Sequence, residues 1–325
     1  MRDIAIPGIG MRIPAIGFGC SALSNSGEKK ALQLLESAFD AGVRHFDVAR
    51  YYGYGESEGI LGKFAKSRRA QITITTKFGI EPPRRTNALR VAMQAGRQLV
   101  KYVPAARGYL QKRAQGLVKT SAFNASAAQT SLETSLRELG TDYVDFFLLH
   151  DYTVTEDSPD ELVAFLKQAV KSGKIRYFGL GTGLENILRA LDSQRELCHV
   201  LQFENSAVTR NLGKVPQDST NRLTFTHGAL SESYNSISTF LKTNPKVVKD
   251  WSTQLAIDCS RDEIISALML NYAVQANPNG LVLFSSRDAT RVRKNIASVL
   301  DPDISPAQIE LFAQLVERDF MLLAK

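Results

Sequence analysis

Residues 143–181 read YVDFFLLHDYTVTEDSPDELVAFLKQAVKSGKIRYFGLG. The stretch opens on an apolar and aromatic run, Tyr143–His150, and closes on a second, Ile175–Gly181. Between them Pro159–Ser172 has a helical pattern and stops at Gly173, where a left-handed backbone suits a helix C-cap. Strand, helix and strand joined by short connections make a βαβ unit, and such units build parallel sheets.

The same unit recurs in both directions along the chain. Strands are expected at Ala15–Cys20, Arg44–Ala49, Gln71–Lys77, Tyr143–His150, Ile175–Gly181, His199–Glu204, Arg222–His227 and Gly280–Ser285. Their starts lie 29, 27, 72, 32, 24, 23 and 58 residues apart, so five of the seven intervals hold a simple strand–helix unit and two hold inserted segments. Helices are expected at Glu28–Ala41, with Ala31, Leu34, Leu35 and Ala38 at helical spacing, and at Ala122–Leu139; they stop at Gly42 and Gly140. Eight repeats over this length point to an α/β fold, a (β/α)8 TIM barrel read as one domain over residues 1–325. The insertions follow strand 3, at about 81–120, and strand 7. Arg2–Pro14, with Pro7-Gly8 at its middle, reads as an N-terminal β-hairpin able to plug the barrel's bottom. Ser305–Leu323 reads as an extra C-terminal helix.

The chain's 325 residues are 44% hydrophobic and 22% charged, which excludes wholesale disorder. No run approaches the ~18 uninterrupted apolar residues of a membrane helix, and Met1–Ile13 lacks the apolar region of a secretory signal. Cys20, Cys198 and Cys259 are odd in number and scattered, which argues against a disulfide framework; a reducing compartment, the cytoplasm, is expected. The net charge is +7, yet nine basic residues and no acidic one fall between Arg84 and Lys119. That tract alone exceeds the net charge, so the basic character is local.

In a TIM barrel the chemistry sits at the C-terminal ends of the strands. Strand 2 carries Asp47, strand 3 ends in Lys77 and strand 4 ends in His150, while Tyr52 lies just past strand 2 in a Tyr-Gly-Tyr-Gly loop. A carboxylate, an ammonium, an imidazole and a phenol thus converge on one rim. Lys77 close to Tyr52 would favour the phenolate and lower the phenol from its reference pKa of ~10. Asp47 would hold Lys77 charged and fixed, and His150 could hydrogen-bond at the same oxygen pocket. The set makes Tyr52 a general acid toward a carbonyl, or a base in reverse, without a metal.

These residues carry a family resemblance. Asp47-Val-Ala-Arg-Tyr-Tyr52-Gly53-x-Gly55-x-Ser57-Glu58, Thr75-Thr76-Lys77-Phe78-Gly79 and Leu148-Leu149-His150 resemble the aldo-keto reductase superfamily. So do Ser135-Leu136-Arg137-x-Leu139-Gly140-Thr141-Asp142-Tyr143-Val144-Asp145 and Gly173-Lys174-Ile175-Arg176-Tyr177-Phe178-Gly179-Leu180, and the match runs in order over nearly the whole chain except about 81–120. The resemblance implies a (β/α)8 barrel that reduces carbonyls with NADPH, with Tyr52 delivering the proton within an Asp47/Tyr52/Lys77/His150 tetrad.

The resemblance also implies a cofactor pocket. Where the family has Ser-Asn after strand 5, this chain has Gly181-Thr182; the strand 6 glutamine is Gln202, and both positions would hold the nicotinamide carboxamide. In Thr226-His227-Gly228-Ala229-Leu230, His227 stands where the family has a stacking aromatic, often Tyr. Ser285-Ser286-Arg287-x-x-x-Arg291-x-x-x-Asn295 resembles the segment that binds phosphate and adenine. Arg287 and Arg291, four apart, would share a helix face and favour the 2′-phosphate of NADPH over NADH.

Other motifs fail. Gly53-x-Gly55-x-x-Glu58 lacks the third glycine of a dinucleotide fingerprint, Gly62-Lys63 lacks a Walker A context, and no His or Cys spacing suits a metal. His45 shares a strand face with Asp47 and reads as a barrel packing or hydrogen-bonded residue. Trp251, in the second insertion, reads either as a substrate-pocket wall or as the anchor of a satellite core. The Arg84–Lys119 tract reads either as a basic lid that steers anionic substrates or as a solvated insertion. Its lack of regular aromatic interleaving argues against nucleic-acid binding. No motif sets an oligomeric state. The expectation is therefore an NADPH-dependent reductase of small-molecule aldehydes, ketones or sugars. A nicotinamide-binding regulatory or scaffold protein is the alternative, motivated by Gly181 and His227.

Overall fold

Strands apolar along both faces belong where both faces are covered, and a closed parallel barrel ringed by helices provides that. The computed structural model describes residues 3–83, 119–155, 159–216, 222–300 and 303–321. Its strands, in chain order, are β1 (Asp3–Ala5), β2 (Arg12–Pro14), β3 (Ile16–Gly19), β4 (His45–Asp47), β5 (Thr73–Phe78) and β6 (Ile80–Glu81). They continue as β7 (Lys119–Thr120), β8 (Val144–His150), β9 (Ile175–Gly181), β10 (Val200–Glu204), β11 (Leu223–His227) and β12 (Leu281–Phe284). β3, β4, β5, β8, β9, β10, β11 and β12 pair in parallel in that order, and β12 closes on β3. The eight expected strands are these eight, trimmed at their ends.

The helices are α1 (Glu28–Asp40), α2 (Glu56–Ala65), α3 (Ala125–Leu139), α4 (Asp160–Lys171), α5 (Leu184–Ser193), α6 (Glu232–Thr243), α7 (Pro245–Leu255), α8 (Asp262–Ala276), α9 (Ala289–Leu300) and α10 (Pro306–Leu315). α3 shows how local sequence sets the boundaries. Asn124 caps its first turn by accepting from Ala127 N at 2.9 Å, and Gly140, at φ 62°, ends it in the left-handed region. α10 begins at a capping box of Ser305 and Gln308 and runs into a π-helical turn, Val316–Met321. No helix among the described residues is long and apolar enough to cross a membrane.

The two departures from a plain barrel fall where the long strand intervals put them. After β5 the chain leaves and returns through paired β6 and β7, Ile80 opposite Thr120. Residues 84–118 of the basic tract lie outside the described residues. After β11 come α6 and α7, which with α8 and α10 enclose a second core. Trp251 lies there, fully buried, its Nε1 donating to Asp319 Oδ2 at 2.7 Å and its ring edge-on to Phe312. It anchors a satellite core and lines no pocket at the barrel mouth, so the substrate-wall reading falls.

The antiparallel hairpin β1–β2 closes the opposite end, with Ile4, Ile6, Ile9 and Ile13 packed on Val200, Leu223 and Leu281 at strand starts and on interior Phe146 and Phe225. Above that plug sits His45. Its Nδ1 lies 2.9 Å from Thr73 Oγ1, its Nε2 3.2 Å from Thr75 Oγ1, and its ring meets Phe146 and Phe225 edge-on. Burial pushes its pKa down to about 3, with the charge of Lys77 adding to the fall. Unfolded histidine titrates near ~6.5, so between these values the unfolded chain takes up a proton that the folded one refuses. Stability therefore falls as pH drops through that window, by about 1.4 kcal/mol per pH unit from this group. Comparing denaturant unfolding of wild type and His45→Gln between about pH 4 and 6 checks this. The wild-type slope should be steeper by about one proton, and equal slopes would refute it.

Candidate active site

Asp47, Lys77 and His150 stand at or next to the C-terminal ends of β4, β5 and β8, three adjacent strands. Tyr52 opens the 3-10 turn Tyr52–Gly55 that follows β4. That turn is left-handed at three successive residues, Gly53, Tyr54 and Gly55, with φ of 59°, 57° and 88°. A Cβ on Gly53 would also lie 2.2 Å from Ser24 Oγ, so glycine is needed there for space as well as for backbone. Glu58, buried in the first turn of α2, fastens the loop by accepting from Thr76 Oγ1 at 2.7 Å and from Arg50 at 3.1 Å.

The four expected residues meet. Lys77 Nζ donates to Asp47 Oδ1 at 2.5 Å, to the Val48 carbonyl at 3.2 Å and to Tyr52 Oη at 3.4 Å. An ammonium has three donors, so these acceptors use all of them. The other Asp47 oxygen accepts from Gln202 Nε2 at 3.0 Å. His150 lies edge-on to Tyr52, ring centroids 5.8 Å apart, and 5.4 Å from Tyr51. Asp47 is 3% and Lys77 2% exposed, so their attraction acts with little water to screen it.

Electrostatics corrects one expectation. Burial pushes the Tyr52 phenol well above its ordinary value, and the charge of Asp47 pushes it further. Reading the sequence predicts the reverse, a phenol made acidic by Lys77. At 2.5 Å the carboxylate offsets the ammonium's pull, and desolvation of the phenolate then decides the sign. Tyr52 therefore holds its proton at neutral pH. His150 is driven well below its ordinary value by burial, then by the nearby Lys77 charge, so its ring is neutral.

A cavity of about 220 Å³ opens beside this group. Asp47, Tyr52, Gln202, His227, Gly228, Leu230 and Ser285 all line it, so seven of the residues expected for catalysis and cofactor binding share one space. Gln202 Oε1 is buried with no hydrogen-bond partner, an acceptor waiting for a donor. A Cβ on Gly181 would come 3.3 Å from that same oxygen, so a side chain at 181 would crowd it. The Thr182 hydroxyl donates to the Tyr152 carbonyl at 2.9 Å, which leaves only its lone pairs for another partner. Ser21, Ser231 and Phe284 also line the cavity and escape the sequence reading. Ser21 and Phe284 lie at the rim ends of β3 and β12, a placement the strand assignment alone could have flagged.

The segment after β12 departs from expectation in one respect. Asp288 caps α9 by accepting from Arg291 N at 2.8 Å, so the helix starts at Ala289. Arg287 precedes the helix and Arg291 stands in its first turn, so the two share no helix face, although both lie at its N-terminal end. Ser286 accepts from Asp288 N at 3.2 Å, and Asn295 is buried on the inner side of α9. Among the described residues no three His, Cys, Asp or Glu side chains group as metal ligands.

The Aldo/keto reductase family model matches residues 15–317. An aldo-keto reductase of Schizosaccharomyces pombe, with NADP(+) in its name, is 30% identical over 183 residues, 54% of this chain and 45% of its own length. A D-threo-aldose 1-dehydrogenase of a Pseudomonas species is 28% identical over 190 residues, 55% of this chain and 53% of its own. The chain thus spans about half the length of the curated relatives it matches. A glycerol dehydrogenase from Gluconobacter oxydans superposes with TM-score 0.72 at 16% identity over 98% of this chain and 96% of that one. An aldo-keto reductase from Klebsiella pneumoniae in complex with NADPH does so with TM-score 0.65 at 19% identity, over 98% and 96%. At these identities the likeness is one of fold.

Proposed function

The chain belongs to the Aldo/keto reductase family, and from that premise we propose that it interconverts aldehydes or ketones and alcohols with NADPH, Tyr52 acting as general acid and base. One observation carries the reading: Lys77 Nζ bridges a buried carboxylate and the Tyr52 hydroxyl beside a cavity. When bound, NADPH supplies hydride to the carbonyl carbon. Tyr52 gives its proton to the carbonyl oxygen, and the phenolate left behind is stabilised by the ammonium 3.4 Å away. Asp47 keeps Lys77 aimed at that oxygen. Neutral His150 has one N–H to donate to the same carbonyl and so orients it. A phenol whose proton is firmly held at neutral pH arrives loaded for the reductive direction. In the oxidative direction the phenolate takes the proton from an alcohol.

The residues present fit the cofactor. The unpartnered Gln202 Oε1 can accept from the carboxamide, with Thr182 beside it. His227 offers a ring to the nicotinamide over a smaller area than tyrosine, and Gly228 and Leu230 line the same space. Ser285, Ser286, Arg287, Arg291 and Asn295 are the candidates for the phosphates and adenosine, the two guanidiniums for a 2′-phosphate. The NADP(+) in the S. pombe relative's name and the NADPH in the Klebsiella complex support the choice.

The test is a titration with each nicotinamide nucleotide, read by its fluorescence, followed by consumption assays over aldehydes, ketones and sugars. NADPH should bind at least about tenfold more tightly than NADH, since charge-assisted contacts contribute about 1.5–3 kcal/mol each. At least one carbonyl should be turned over. Binding with no turnover of any of them would instead support a regulatory or scaffold protein, the reading that Gly181 and His227 motivate.

A further inference from the structure

The rim beside His150 holds a charge that the proposed mechanism does not use. Asp151 follows the last residue of β8, and its N–H donates to the Gly181 carbonyl at 2.9 Å, which pins it beside the end of β9. Its φ is 53°, a left-handed value that aspartate and asparagine tolerate better than other side chains. The side chain is exposed, and its carboxylate has no hydrogen bond or ion pair among the described residues. Its field nonetheless reaches the site. It pushes the Tyr51 phenol up, second only to burial, and contributes to the same rise at Tyr52, while the Lys77 ammonium acts on Asp151 in turn.

Among the described residues the neighbouring charges do not cancel it. Lys77 is held by Asp47 at 2.5 Å, and Arg50 by Glu58 at 3.1 Å and Glu81 at 3.8 Å. Burial drives both His150 and His227 down toward the neutral form. Glu204, last residue of β10, is a second carboxylate with no side-chain partner among the described residues, and its chain packs under Gly228 at the cavity wall. Among the described residues, two carboxylates without side-chain partners therefore stand at the rim ends of β8 and β10. Hydroxyls accompany them: Ser21 and Ser231 line the cavity, and Tyr51 borders His150.

We propose that Asp151 is a specificity-determining residue that sorts carbonyl substrates by charge, disfavouring those with a carboxylate or phosphate near the carbonyl and favouring neutral, hydroxylated ones. This rests on the reductase reading above. An anionic group brought to the rim meets the exposed Asp151 carboxylate, and the like charges repel by an amount that salt screens, whereas a hydroxyl can donate to it.

Glyceraldehyde and glyceraldehyde 3-phosphate test it: the phosphoryl group adds charge and bulk together, and the Asp151→Asn variant, which changes charge alone, separates the two. The wild-type protein should show kcat/KM at least about tenfold higher for glyceraldehyde. Asp151→Asn keeps shape and backbone preference but removes the charge. It should shrink that ratio about tenfold, chiefly through a lower KM for the phosphate. Asp151→Glu should retain the preference, and raising ionic strength should weaken it in the wild type more than in Asp151→Asn. A wild type indifferent to the phosphate, or a ratio unchanged in Asp151→Asn, overturns the assignment while leaving the reductase reading intact. No turnover of any carbonyl overturns both.

Discussion

Tyr52→Phe should lower the rate of carbonyl reduction by about 10³-fold and leave NADPH affinity within about twofold of wild type. The substitution removes one oxygen and little else. The ring keeps its edge contacts with His150 and Tyr51, so the cavity wall stays in place. Lys77 loses only its longest hydrogen bond, at 3.4 Å, and retains Asp47 and the Val48 carbonyl. What disappears is the only hydroxyl within hydrogen-bond reach of that ammonium among the described residues. Single-turnover absorbance of bound NADPH measures the chemical step, and fluorescence quenching measures binding. Near-wild-type turnover would mean that the proton comes from elsewhere. Tyr51, whose ring lies 5.2 Å from that of Tyr52, would then be the first group to examine.

The barrel was legible because its strands are short apolar runs and three of its helices, α1, α3 and α4, stop at Gly42, Gly140 and Gly173. Tyr143–His150 and Ile175–Gly181 read as strands, and the observed β8 and β9 differ from them by one residue at most. The rim constellation was legible for a related reason: a charge at the end of an apolar run has nowhere to go but the mouth. Two features were not. The start of α9 is set by the Asp288 carboxylate capping Arg291 N, so a spacing of four between arginines did not make a shared face. A local cap outranks periodicity when the pattern spans only one turn. The sign of the Tyr52 shift depends on how much water the fold removes and on how close Asp47 comes to Lys77. Those distances belong to three separate strands and loops and are invisible until they are assembled. Glu58 illustrates the same point. It was visible only as a motif letter, yet it ties the tyrosine loop to β5 through Thr76 and holds Arg50, just before that loop, in place.

The buried pair at the centre gives the second large effect. Lys77→Met should abolish measurable reduction and also cost about 3–5 kcal/mol of stability, because it strands an ionised Asp47 in the barrel with Gln202 Nε2 as its remaining side-chain partner. Asp47→Leu combined with Lys77→Met removes both charges and should recover much of that loss. The residue, about 1–3 kcal/mol, reflects the Gln202 amide left without an acceptor. Denaturant midpoints at constant slope measure the stabilities, and the same preparations give the rates. The informative result is the divergence: stability returns in the double variant while turnover does not, because the phenolate of Tyr52 still lacks a cation beside it. A double variant as unstable as Lys77→Met would show that the pair holds the rim together. Recovery without activity would show that the barrel tolerates an apolar pair there and keeps the charged one for the proton it helps to move.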